Sequence, residues 1–216
     1  MKYIKLFENF TDNSDYNIDQ IKEILKVRGT NFNDIEFIDS GGYGSVFDLK
    51  NGYVLKITTM DSELIYAEKL MNIDSNFLVK VKDVFYHAYH DVGYTIKIGF
   101  IVMEKLEIRK GNSLVNFIDS LNIYNSPKYR YRTISDEDVL KYFKYLSFFT
   151  DKQIIRYWNV YKNIALECEK YDLPIDDIRG GNIGFRDNHP VLFDIGDIYK
   201  SYEHDYSNID IIYYDI

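Results

Sequence analysis

An α+β fold, strand-rich in its first half and mainly helical in its second, is the class this sequence predicts, and three features predict it. Between residues 34 and 103 the apolar residues fall into strand-like runs: Ile35 to Asp39, Ser45 to Leu49, Tyr53 to Thr58, Leu78 to Tyr86 and Tyr94 to Met103. A single helical segment, Asp61 to Ile73, interrupts those runs after the third. From about Asn112 onward the apolar spacing becomes helical for most of the remaining chain.

Taken in order, the polar stretch Thr11 to Asp15 offers N-cap residues for a leading helix, and Ile18, Ile21, Ile24 and Leu25 recur at helical spacing until Gly29 closes it. Asn51-Gly52 joins the second and third strands, a hairpin signal because both residue types tolerate positive φ. Ser113 to Leu121 and Ser135 to Phe149 read as helices, the second with Val139, Phe143 and Leu146 on one face. Thr150 and Gln153 form a T-x-x-Q capping box that opens a further helix. Its Ile154, Trp158, Tyr161, Ala165 and Cys168 make one apolar stripe, a core face. Beyond Pro174 come a loop rich in Asp and Gly, a short apolar run from Pro190 to Phe193, and an acidic, tyrosine-rich tail to which the sequence assigns no place.

A chain of 216 residues with 46% apolar content can bury a sizeable core, and 21 tyrosines and 14 phenylalanines against 3 prolines make that core aromatic. The net charge of -8, with no run of Lys and Arg, argues against a nucleic-acid partner. The single Cys168 cannot form an internal disulfide and the four histidines offer no zinc-type ligand set, which fits a reducing, cytoplasmic setting; His87 and His90 are expected at the surface. No apolar run approaches the roughly 18 residues that span a bilayer, and Met1 to Phe10 is too short and charged for a signal peptide, so no membrane partner is expected. That opening stretch resembles the start of many small tailed-phage proteins, which implies a virus-encoded protein acting in its host's cytoplasm.

Three residue patterns bear on chemistry. Asp39-Ser40-Gly41-Gly42-Tyr43-Gly44-Ser45-Val46 places glycines between two strands, where backbone N–H groups can close over phosphates; a plain hairpin would use glycines too. Val54-Leu55-Lys56-Ile57 puts one lysine inside an apolar strand, where it either points to solvent or needs an anionic partner. Glu68 on the following helix is the candidate carboxylate, with Glu63 as runner-up. Later, Asp177-Ile178-Arg179-Gly180-Gly181-Asn182 is followed after twelve residues by Asp194-Ile195-Gly196; such residues also shape ordinary Asx-type turns.

In this order, glycine loop, strand lysine, helix glutamate, Asp-x4-Asn and Asp-x-Gly, the chain resembles the protein kinase family over roughly Asn33 to Tyr199. The resemblance implies a two-lobed protein kinase-like fold: a helical extension over residues 1–30, a first lobe over 31–104 with a five-stranded antiparallel sheet plus one helix, and a reduced, mainly helical second lobe over 105–216. It implies ATP and magnesium as cofactors. Gly41, Gly42, Tyr43, Gly44, Val46 and Val54 would touch the nucleotide, and Lys56, held by Glu68, would bind its inner phosphates. Met103 would be the gatekeeper, with the backbone of Glu104 to Leu106 meeting adenine. Asp177 would accept the acceptor's proton, Arg179 would meet the terminal phosphate, and Asn182 and Asp194 would hold the metal. The implied activity is transfer of the ATP terminal phosphate, first to a protein Ser or Thr hydroxyl, alternatively to a small molecule; a nucleotide-binding pseudokinase is the reading from a different class.

Three departures bear on that expectation. Asp39 replaces the first glycine of the loop, placing a negative charge near the phosphates. Ile175-Asp176-Asp177 replaces H-R-D, so the arginine that reads a phosphorylated activation segment is absent. Only twenty residues follow Gly196, too few for an activation segment and the trailing helices of a complete protein kinase.

Overall fold

The strand-like runs of the first half build β1 (Glu36–Ser40), β2 (Gly44–Asp48), β3 (Tyr53–Thr58), β4 (Val81–Asp91) and β5 (Tyr94–Glu104), with a helix between the third and fourth. The computed structural model describes residues 18–29, 34–91, 94–121, 131–144, 148–196 and 209–213. The described chain is α+β, with five α-helices and a mixed six-stranded sheet among those residues. It folds as two compact units, one drawn from residues within 1–72, 80–105 and 200–216, the other from residues within 73–79 and 106–199.

In the first unit the strand order is β1-β2-β3-β5-β4 followed by β8 (Asp210–Tyr213), and the first five strands pair antiparallel. The hairpin between β2 and β3 turns at Lys50 and Gly52, both at positive φ (57° and 86°). Helix α1 (Ile18–Val27) buries Ile21, Ile24 and Leu25 against one face of the sheet, which presents Phe47, Leu55, Ile57, Phe85, Phe100 and Val102. The residues that would cap its N-terminus, Thr11 to Asp15, lie outside the described residues. Helix α2 (Asp61–Leu70) lies on the opposite face: Tyr86 donates its hydroxyl to Asp61 at 2.9 Å, and Leu64 fills the space above Gly99, where even a Cβ would collide with it.

The expected five-stranded antiparallel sheet is corrected to six strands of mixed direction. β8 (Asp210–Tyr213), from the tail, pairs parallel with β4, setting Phe85 opposite Asp210 and Ala88 opposite Tyr213. Arg28, just past α1, joins the two: its Nε and Nη2 each donate to Asp83 at 3.0 Å and its Nη1 to Asp210 at 2.6 Å, with Phe85 beneath the guanidinium. His87 is a second correction. It is 8% exposed rather than at the surface, edge-on to Phe100, and burial holds its imidazole below the usual range. The side chain of His90 lies outside the described residues.

The second unit is mainly helical: α3 (Ser113–Ser120), α4 (Asp136–Phe143) and α5 (Asp151–Lys170), followed by a hairpin of β6 (Ile183–Arg186) and β7 (His189–Leu192). Each helix starts where its sequence provides a cap. Asn112 accepts from Leu114 N at 2.8 Å, Ser135 from Asp138 N at 3.1 Å, and Thr150 and Gln153 form the reciprocal capping box. The stripe Ile154, Trp158, Tyr161, Ala165 and Cys168 is core, and burial pushes the Cys168 thiol up to about 12, which makes it inert at neutral pH.

Two boundaries move. α4 ends at Phe143, short of Phe149, and Leu146 lies outside the described residues. Leu78, expected to begin β4, instead bridges Leu192 in the second unit and is 1% exposed. Among the described residues no helix is long and apolar enough to cross a membrane.

Candidate functional site

The glycine turn between β1 and β2 closes through a bond from Gly41 N to Gly44 O at 2.9 Å. The carbonyl of Tyr43 is tied down by Thr59 N at 3.0 Å and by the Thr58 and Thr59 hydroxyls at 3.2 Å each. Gly44 is needed for packing, because a Cβ there would run into Ile57 O. Gly41 and Gly42 are different: a Cβ at either would meet nothing within 4 Å, and neither has positive φ. Folding therefore gives no reason for glycine at these two positions, whereas bare backbone is what a close-approaching ligand would use. Tyr43 is 50% exposed, and Asp39 accepts from Ser40 N at 2.9 Å at the end of β1.

Lys56 lies on the α2 face of β3, beside Val46 of β2 and Ile101 of β5, with half-buried Val54 two residues earlier on that face. Its ammonium is 2.9 Å from Glu63 Oε2, and the two side chains are only 13% and 10% exposed. The expected partner Glu68 is corrected: it is half-buried and forms no ion pair with Lys56. Five residues along an α-helix is a rotation of about 140° beyond a full turn, so the two glutamates cannot face the same strand. Only Thr59 and Met60 separate β3 from α2, which brings the helix's first turn beside Lys56.

Met103 is buried at 6%, paired with Val54 and Val81. Of the expected adenine-facing backbone, Glu104 N is already bonded to Lys80 O at 3.0 Å and Lys105 N to Gly52 O at 2.9 Å. Glu107 exchanges two bonds with Phe185, at 3.0 and 2.9 Å. Leu106, between these anchors, has neither backbone group bonded to a described residue.

In the second unit the separated acidic motifs meet. Gly196 N donates to Asp177 Oδ2 at 2.9 Å, and Phe193 N donates to Asn182 O at 3.0 Å, so Asp194 is bracketed by two residues bonded to the 177–182 loop. Asn182, 4% exposed, donates Nδ2 to the Asp177 carbonyl at 3.0 Å. That bond fixes the amide, and its Oδ1 accepts from no described residue. Arg179 is 57% exposed, its Nε 3.4 Å from Asp177 Oδ1. Ile195 is buried and Asp176 is exposed.

The sequence matches no protein-family model and no curated protein.

Among the described residues no three His, Cys, Asp or Glu side chains gather into one group. An amide oxygen plus one or two carboxylates is nevertheless what magnesium takes from a protein when phosphates and water complete its octahedron, and Asn182 Oδ1 with the Asp194 carboxylate fits that description. Glu63, the runner-up in the sequence reading, is the partner of Lys56, and the two-residue connection from β3 is the signal that favours it. One site residue escapes the sequence reading. Asp119 on α3, which accepts from Gly180 N at 2.7 Å, carries no sequence signal linking it to a residue sixty-one positions away.

Proposed function

We propose that this chain is an ATP- and magnesium-dependent phosphotransferase of protein kinase-like architecture, acting on a hydroxyl acceptor, with a protein Ser or Thr side chain as the favoured class and a small-molecule hydroxyl as the alternative. The observation that carries the reading is the joining of Asp177, Asn182 and the Asp194–Gly196 segment by the 2.9 Å and 3.0 Å bonds around one loop. Ordinary Asx turns would not bring Asp-x4-Asn and Asp-x-Gly together. The Lys56–Glu63 pair, the two glycines that folding does not require and the Leu106 backbone, bonded to no described residue, add support from the remaining motifs.

On this reading Lys56, oriented by Glu63, binds the inner phosphates, and the Gly41–Gly42 backbone covers them. Magnesium held by Asn182 and Asp194 would supply charge neutralisation at the bridging phosphate oxygens. Gly196 N–H donates to Asp177 Oδ2 and so orients the carboxylate that would accept the proton of the acceptor hydroxyl. The acceptor oxygen bonds to the terminal phosphorus as the bond to the bridging oxygen breaks, and ADP departs with that electron pair. Arg179, released from Asp177 Oδ1, can place its guanidinium on the transferring phosphoryl oxygens.

Transfer of labelled phosphate from ATP, to itself and to a panel of protein and small-molecule acceptors, tests the proposal together with nucleotide titration. Asp177→Asn should abolish transfer while sparing ATP binding, and Asp194→Asn should also weaken the magnesium-dependent part of binding. Binding without transfer to any acceptor would point to the pseudokinase reading, and no binding at all would remove both.

A further inference from the structure

Asp119 is set against the preference of its own helix. It stands in the last turn of α3, an eight-residue helix with no basic residue in that turn, where a carboxylate faces the negative end of the helix dipole. A local conflict of this kind calls for a tertiary reason, and one is present. Asp119 Oδ1 accepts from Gly180 N at 2.7 Å, and a Cβ on Gly180 would meet Val115 O at 2.5 Å and Asp119 Oδ2 at 2.6 Å. Helix α3 therefore seats the Arg179–Gly180 peptide directly, with only glycine able to come so close.

Gly180 is the middle of the loop that carries Asp177 and Asn182. The loop is closed on itself by Asn182 N to Arg179 O and by Asn182 Nδ2 to Asp177 O, both 3.0 Å. Those bonds fix its internal shape. The Asp119 bond attaches that shape to a helix whose Leu114, Phe117 and Ile118 are buried in the unit's core.

We propose that Asp119 is a positioning residue for phosphoryl transfer: it anchors the 177–182 loop to α3 and so sets the places of the Asp177 carboxylate and the Asn182 amide. The proposal rests on the phosphotransferase reading. Asp119 itself is exposed and lies outside the packed core, so removing its carboxylate frees the loop and leaves the unit folded.

The test compares Asp119→Ala, Asp119→Asn and wild type in full-length protein, reading kcat and KM for Mg–ATP, Mn2+ affinity in the presence of ATP, and the thermal midpoint. Asp119→Ala should lower kcat by about tenfold to a hundredfold, because loss of positioning acts on the reacting geometry. Its Mn2+ affinity should fall as well, with the thermal midpoint close to wild type. Asp119→Asn keeps an oxygen acceptor and should recover most of the rate. Wild-type kcat in Asp119→Ala would overturn the proposal, as would equal losses in both variants. An Asp119→Ala chain that does not fold would also overturn it, by making Asp119 a structural residue. A wild type that neither binds nor turns over Mg–ATP would instead overturn the phosphotransferase reading, and the positioning role with it.

Discussion

Changing Glu63 to Ala removes the carboxylate 2.9 Å from the Lys56 ammonium, in a pair whose side chains are 13% and 10% exposed. At that separation two unit charges attract by about 6 kcal/mol with an effective dielectric of about 20. Desolvation of both groups offsets most of this, so the pair as a whole contributes little net stability. Removing one partner is different, because the ammonium stays largely out of water and loses the carboxylate 2.9 Å away; the cost should be about 3 kcal/mol. For a chain of 216 residues that corresponds to a fall of about 9 °C in the thermal midpoint. Glu68→Ala, on a different side of α2, should cost under about 0.5 kcal/mol. The double variant Lys56→Met, Glu63→Leu removes both charges and should recover most of the loss. Urea and thermal unfolding followed by circular dichroism read all of these without any assumption about activity. Equal losses from Glu63→Ala and Glu68→Ala would refute the reasoning, as would a double variant as unstable as the sum of its singles.

Two pH dependences follow from other buried groups. Burial holds the His87 imidazole below its usual 6.5, so the unfolded chain binds the proton more tightly. The stability tied to neutral His87 is whole above 6.5 and is lost as pH falls through the lower folded value. His87→Phe should flatten the change in urea midpoint between about pH 7.5 and about pH 5.5, and an unchanged slope would remove His87 as its cause. The Asp48 carboxyl is held at about 2, chiefly by the Lys105 ammonium at 2.7 Å and then by Lys50 N at 2.9 Å. Its contribution is complete above 3.8 and disappears as pH falls through about 2, so Lys105→Met should move acid unfolding to higher pH. Acid titration at fixed urea checks this.

What can be read from sequence here is what local chemistry decides. Asn112, Ser135 and Thr150 cap helices because their side-chain oxygens reach N–H groups two or three residues on, whatever the rest of the chain does. The hairpin signalled by Asn51-Gly52 and the α5 stripe are legible for the same reason. The partner of Lys56 is not, because α2 is buried at every position from Ser62 to Ala67 and its pattern names no inward face. β6 carries a weaker signal that could have been used: Asp187 and Asn188, both at positive φ (47° and 66°), form the two-residue turn that pairs it with β7.

By itself, then, the sequence determined the order and type of most elements, the strand lysine and the Asp-x4-Asn and Asp-x-Gly motifs, all of which are written in neighbouring residues. Only the tertiary structure decided that Glu63 rather than Glu68 meets Lys56, that β8 returns to β4 under Arg28, that His87 is buried and that Asp119 holds Gly180. Each of those outcomes depends on which faces pack together, and packing is set by the distance between residues in space, which spacing along the chain does not encode.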